Sequence, residues 1–154
     1  MRTYDEKLTP PVSLYAAGWG MALLLGVSFY AALGPVAGLL ATGVPGGLVT
    51  VLLARSGAVV RVEDGHLTAG PAHIPVDALG PARALDAGQS RRVRGPASDP
   101  AGYHLIRGWI PAGVQADVID PADPTPYWFV ASRRPQALAD AVEAARQQPF
   151  PRTP

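Results

Sequence analysis

Cysteine is missing from all 154 residues. Its absence excludes disulfides, thiolate catalysis and zinc sites of the cysteine type, and leaves the compartment open. Lysine is nearly missing as well: Lys7 is the only one, and arginine supplies the other side-chain cations, a bias read as high-GC coding. A formal net charge of +1 argues neither for a nucleic-acid partner nor for an acidic tail, and no nucleic acid is expected among the partners. Recognisable catalytic patterns are lacking too. None of Ser13, Ser28, Ser56, Ser90, Ser98 and Ser132 sits in a Gly-x-Ser-x-Gly turn, which argues against a serine hydrolase. His66, His73 and His104 lack the one-turn spacing of a helical metal pair, and no Walker-type phosphate loop is present. The expectation is a protein without catalytic residues, metal or cofactor, and not an enzyme.

The absence with the largest consequence is that of charge. Residues 8–54 contain no Asp, Glu, Lys, Arg or His. A charged side chain near mid-bilayer costs about 2.5–3.5 kcal/mol on insertion scales, and one crossing needs about 20 apolar residues. The run is long enough for two crossings. Residues 12–33, entered through Thr9-Pro10-Pro11, form the first expected span; Gly34-Pro35 is the expected turn, and residues 36–54 the second span. Pro45, Gly46 and Gly47 predict a kink or local unwinding within it. A cleaved signal peptide fits less well, because the leader mixes Arg2 and Lys7 with Asp5 and Glu6, and because the apolar run exceeds a signal core.

Small residues recur at four-residue steps along both spans: Gly18, Ala22 and Gly26 on the first, Gly38, Thr42, Gly46 and Thr50 on the second. Such stripes let helix backbones approach closely in lipid, either within the hairpin or between copies in a homo-oligomer. Arg2 and Lys7 precede the hairpin and Arg55 and Arg61 follow it, so the positive-inside rule places both termini in the cytoplasm of a multi-pass plasma-membrane protein. The expected division is a cytoplasmic N-terminal segment (1–11), a hairpin (12–54), a cytoplasmic domain (55–148) and a disordered tail (149–154).

Beyond Ala58 the pattern shifts to short alternating segments. Strands are expected at residues 58–62 and 66–69 around an Asp64-Gly65 turn, then near 73–76, 82–86, 103–107, 114–119 and 127–132. Gln89–Gly102 reads as an exposed loop. From Pro135 the period becomes helical, with Leu138, Val142 and Ala145 on one face. About seven antiparallel strands closed by a C-terminal helix predict a small split barrel.

A two-span hairpin followed by such strands and a helix resembles a pleckstrin-homology-like domain on a membrane anchor. More narrowly, Tyr4-Asp5-Glu6-Lys7-Leu8, Val60-Arg61-Val62-Glu63-Asp64-Gly65, the run Asp120-Pro121-Ala122-Asp123-Pro124-Thr125-Pro126-Tyr127-Trp128, and Ser132-Arg133-Arg134-Pro135 resemble the actinobacterial family of domain of unknown function 3093. The resemblance covers nearly the whole chain. It implies an integral membrane protein of a high-GC Gram-positive bacterium and carries over no functional residue.

Two groups of residues could form binding surfaces. The stiff Asp120–Trp128 segment is either a recognition loop, with Asp120, Asp123, Tyr127 and Trp128 meeting a protein partner, or a connector whose aromatics enter the core. Arg91, Arg92, Arg94, Arg133 and Arg134 either converge on anionic lipid headgroups or are separate solvated charges. The expected function is a membrane-anchored binding module contacting the lipid bilayer and another membrane or cytoplasmic protein. The alternative is an accessory subunit of an envelope or transport assembly acting through its hairpin.

Overall fold

The computed structural model describes residues 2–95 and 98–148; the expected tail, 149–154, lies outside the described residues. Two compact units result. One is Thr9–Gly57; the other joins the residues up to Leu8 with those from Ala58 onward. The residues up to Leu8 therefore group with the domain that follows the hairpin.

In the helical unit, α1 (Val12–Leu33) and α2 (Pro35–Arg55) are joined at Gly34, whose φ of +89° suits a residue without a Cβ. The Gly34 amide closes α1 by donating to the Tyr30 carbonyl at 3.0 Å, and Pro35 opens α2 where no intrahelical N–H is required. At ~1.5 Å per residue each helix spans ~30 Å, the thickness of a bilayer's hydrocarbon core. Both are long and apolar enough to cross a membrane. Most leucines and valines are exposed, and the buried positions are Ala22, Gly26, Gly38 and Gly46. The expected unwinding is not seen: α2 is helical through Pro45, Gly46 and Gly47. Proline removes a single N–H from the ladder, and the turns on either side remain bonded.

The second unit contains two four-stranded sheets. In the first, β1 (Arg2–Lys7), β2 (Val59–Glu63), β3 (His66–Ala69) and β4 (Ala72–Pro75) follow one another antiparallel. Asp64 and Gly65, both at positive φ, form the β2–β3 turn whose twist matches its strands. In the second, β5 (Arg83–Leu85), β6 (Tyr103–Leu105), β7 (Gly113–Asp117) and β8 (Tyr127–Ala131) are ordered β5-β7-β8-β6. Among the described residues the seven strands expected after Ala58 are β2 to β8, β1 before the hairpin adds an eighth, and β6 runs parallel to β8 against the all-antiparallel expectation. The pleckstrin-homology-like barrel expected from the sequence is thus not closed.

The expected loop beginning at Gln89 is partly helical. Asp86 and Gln89 form a reciprocal capping box that starts α3 (Ala87–Arg94). The C-terminal α4 (Pro135–Arg146) buries Leu138, Val142 and Ala145 as its periodicity requires, and packs on β5, β7 and β1. Phe129, Leu8, Leu79, Ile110 and Leu138 are among the largest fully buried side chains.

Candidate functional site

Among the described residues no group of three or more acidic or histidine side chains could hold a metal ion. The histidine with the most polar contacts, His104, serves a loop. Its Nδ1–H donates to the Gly102 carbonyl at 2.9 Å, which leaves Nε2 to accept from the Tyr127 hydroxyl at 3.0 Å. That hydroxyl in turn accepts the Asp99 amide at 3.0 Å. The arrangement ties the loop after α3 to the start of β8.

Tyr127 and Trp128 are 8% and 6% exposed and belong to the core, Trp128 stacking on Tyr103 with ring centroids 4.2 Å apart. Upstream, Asp120 accepts the Ala122 amide and Asp123 the Thr125 amide, each at 2.9 Å, so both carboxylates organise turns. Bonds from the Thr125 backbone and hydroxyl hold the Asp123 carboxyl below its ordinary pKa. The segment has the geometry of a connector whose aromatics enter the core.

The five candidate arginines do not share one environment. Arg94 turns inward, donating to the Pro111 carbonyl at 3.0 Å with its guanidinium over the Phe129 ring. Arg91 and Arg92 are exposed in the last turn of α3, where cations complement the helix dipole. Arg133 and Arg134 are exposed and follow β8, where they meet β1. The Leu8 amide donates to the Ala58 carbonyl at 2.7 Å, so even-numbered main-chain groups of β1 face β2 and odd-numbered ones face away. Onto that outer edge Arg133 donates to the Lys7 carbonyl and Arg134 to the Asp5 carbonyl, both at 3.1 Å. Arg134 also lies over the Tyr4 ring, 5.1 Å from its centroid.

Inside the same strand lies a group that the sequence did not single out. Glu6 is 6% exposed, and its carboxylate accepts the Tyr4 hydroxyl at 2.6 Å, the Ser132 hydroxyl at 2.7 Å and the Arg133 amide at 3.0 Å. A buried carboxylate with three donors is a stable arrangement, whereas its donors without it would be left unsatisfied. Burial, followed by the bond to Glu6, raises the pKa of Tyr4. The signal was present as period two: Tyr4, Glu6 and Leu8 alternate with Thr3, Asp5 and Lys7. The charge of Glu6 concealed it.

The small-residue stripes pack the hairpin against itself. A Cβ on Gly26 would collide with the Thr42 hydroxyl and lie 2.9 Å from the Gly38 carbonyl, and one on Gly38 would lie 2.7 Å from the Tyr30 Cβ. One on Gly46 would meet the Trp19 ring at 2.8 Å and one on Gly18 would meet Val49. Trp19 Nε1–H donates to the Thr50 hydroxyl at 3.1 Å, a bond between the helices. Beside this seam an open groove of about 450 Å³ is lined by residues including Leu23, Gly26, Tyr30, Gly38, Leu39 and Thr42.

A family model described as "Protein of unknown function (DUF3093)" matches residues 3–142. Neither a curated protein nor a solved structure matches the chain.

Proposed function

The chain belongs to the DUF3093 family, and we propose that it is an integral membrane protein whose helical hairpin anchors a non-enzymatic β domain at the cytoplasmic face of the plasma membrane. The domain serves there as a binding module for lipid headgroups or a protein partner. The pairing of β1 with β2 carries this reading. The strands on either side of the hairpin lie in one ladder, with Lys7 opposite Val59, which supports a reading with both flanks of the helices in the same compartment. An even number of crossings satisfies that constraint, and two helices of bilayer length supply it. The cations at both flanks then favour the cytoplasm.

Because the chain has no cysteine, single introduced cysteines report topology cleanly. Leu33→Cys, beside the turn, is expected to react with a membrane-impermeant maleimide on intact cells. Asp140→Cys, exposed on α4, is expected to react only after permeabilisation. Release of the protein by carbonate, or labelling of both sites from outside, would refute the reading.

The groove beside the hairpin seam favours a second reading, an accessory subunit that meets a neighbouring membrane protein through its helices. A photocrosslinker at Leu39 is expected to capture a heterologous protein in that case. Self-adducts alone count against it and favour a homo-oligomer.

A further inference from the structure

The outer face of β1 differs along its length. Asp5 faces Arg61 across the ladder and pairs with it at 3.2 Å, and Arg61 also reaches Glu63 at 3.5 Å. Lys7, two residues on and exposed, faces Val59 instead. The bonds from Arg133 and Arg134 to the Lys7 and Asp5 carbonyls bring two guanidiniums to the same edge. For Arg134, a bond to a neutral carbonyl positions the guanidinium without cancelling its charge. Glu6, the carboxylate between them, points inward and is buried. The outward row is thus cationic, assembled from residues more than a hundred positions apart in sequence.

Covalent connection fixes where this row can be. Val12, the first residue of α1, follows Lys7 by five residues, which span at most ~17 Å even when fully extended. Wherever α1 enters a bilayer, Lys7 and the Arg133 bonded to its carbonyl stand within reach of the headgroup layer. Arg91 and Arg92 on α3 have no such tether.

We propose that Lys7, Arg133 and Arg134 form a docking surface for anionic phospholipid headgroups of the membrane that holds the hairpin. Lys7 offers a mobile ammonium, and the two guanidiniums offer planar donors for phosphate oxygens. This inference rests on the membrane-anchored reading above and names the ligand of the domain at its point of attachment.

The test is native mass spectrometry of the full-length protein in detergent, titrated with phosphatidylglycerol and phosphatidylcholine in competition. The expected result is a preference for phosphatidylglycerol that weakens with salt and drops about five-fold for each cation removed in Lys7→Gln and in Lys7→Gln/Arg133→Gln. Arg91→Gln/Arg92→Gln is expected to leave it unchanged. Arg133→Gln also loosens the edge of β1, whereas Lys7→Gln touches no side-chain bond of the Glu6 cluster, so the single variant keeps the test decisive if the double one unfolds. Equal binding of the two lipids, or a preference that survives Lys7→Gln or is lost with Arg91→Gln/Arg92→Gln, overturns the proposal. Carbonate extraction of the wild type separates the two failures: a released protein defeats the anchored reading, and an embedded one without lipid preference defeats this inference alone.

Discussion

A fragment that starts at Arg55 contains everything after the hairpin and still lacks a strand of its own domain. Removing β1 and the residue after it takes away Leu8, which is 0% exposed, and Tyr4, at 7%. Each buried side chain of this size contributes ~1.5–3 kcal/mol. Loss of Glu6 leaves the Ser132 hydroxyl and the Arg133 amide without their acceptor, a further ~1–3 kcal/mol. Ladder hydrogen bonds, at ~1 kcal/mol each, and the ordering entropy of the strand, at ~1 kcal/mol or more per residue, roughly offset each other. The net loss is ~4–9 kcal/mol, comparable to the ~5–15 kcal/mol that holds a typical domain together. The fragment also exposes the edge of β2, an invitation to aggregation. The remedy follows from the Leu8–Ala58 hydrogen bond of 2.7 Å: a two-residue Asn-Gly turn can join Leu8 to Ala58 and replace the hairpin. Guanidinium denaturation, followed by circular dichroism, should give a cooperative transition for the linked chain and a weakened or absent one for residues 55–154. Equal stability of the two within ~1 kcal/mol would refute the account of β1.

Gly26→Leu should destabilise the hairpin by ~1–3 kcal/mol through overpacking, read as a lower melting temperature in detergent. Gly43→Leu, whose Cβ meets nothing within 4 Å, should be neutral in the same assay. The raised pKa values of Tyr4 and Tyr103 mean that the folded domain favours both neutral phenols. Their contribution is complete below the ordinary tyrosine value of 10.0 and is lost as pH rises through the higher folded values. Absorbance titration should find these two phenols ionising late, and Tyr4→Phe should diminish the alkaline loss of stability. Asp123, whose pKa is lowered, contributes above the ordinary aspartate value of 3.8 and loses that contribution as pH falls through its folded value. Asp123→Asn should flatten the acid limb of the denaturation profile.

The linear sequence determined the hairpin and the local order of the domain. Absence of charge over residues 8–54 and the Gly34-Pro35 break set α1 and α2 to within a residue or two, because desolvation cost and glycine's conformational freedom act locally. Alternation and turn chemistry likewise marked β2 to β8 and α4 near their observed positions. Asp64-Gly65 and Pro135 are signals read by their immediate neighbours. Only the tertiary structure decided what lies beside what. It brought β1 across the hairpin to β2, split the strands into two sheets, and set β6 parallel to β8. It turned Glu6 inward onto Ser132 and Arg133, and it separated five similar arginines into a core-facing one, two at a helix end and two on a strand edge. The physical reason is range. Helix breaks and strand periods depend on residues within a turn or two, whereas a carboxylate reads as solvated until the donors that satisfy it arrive from 126 positions away.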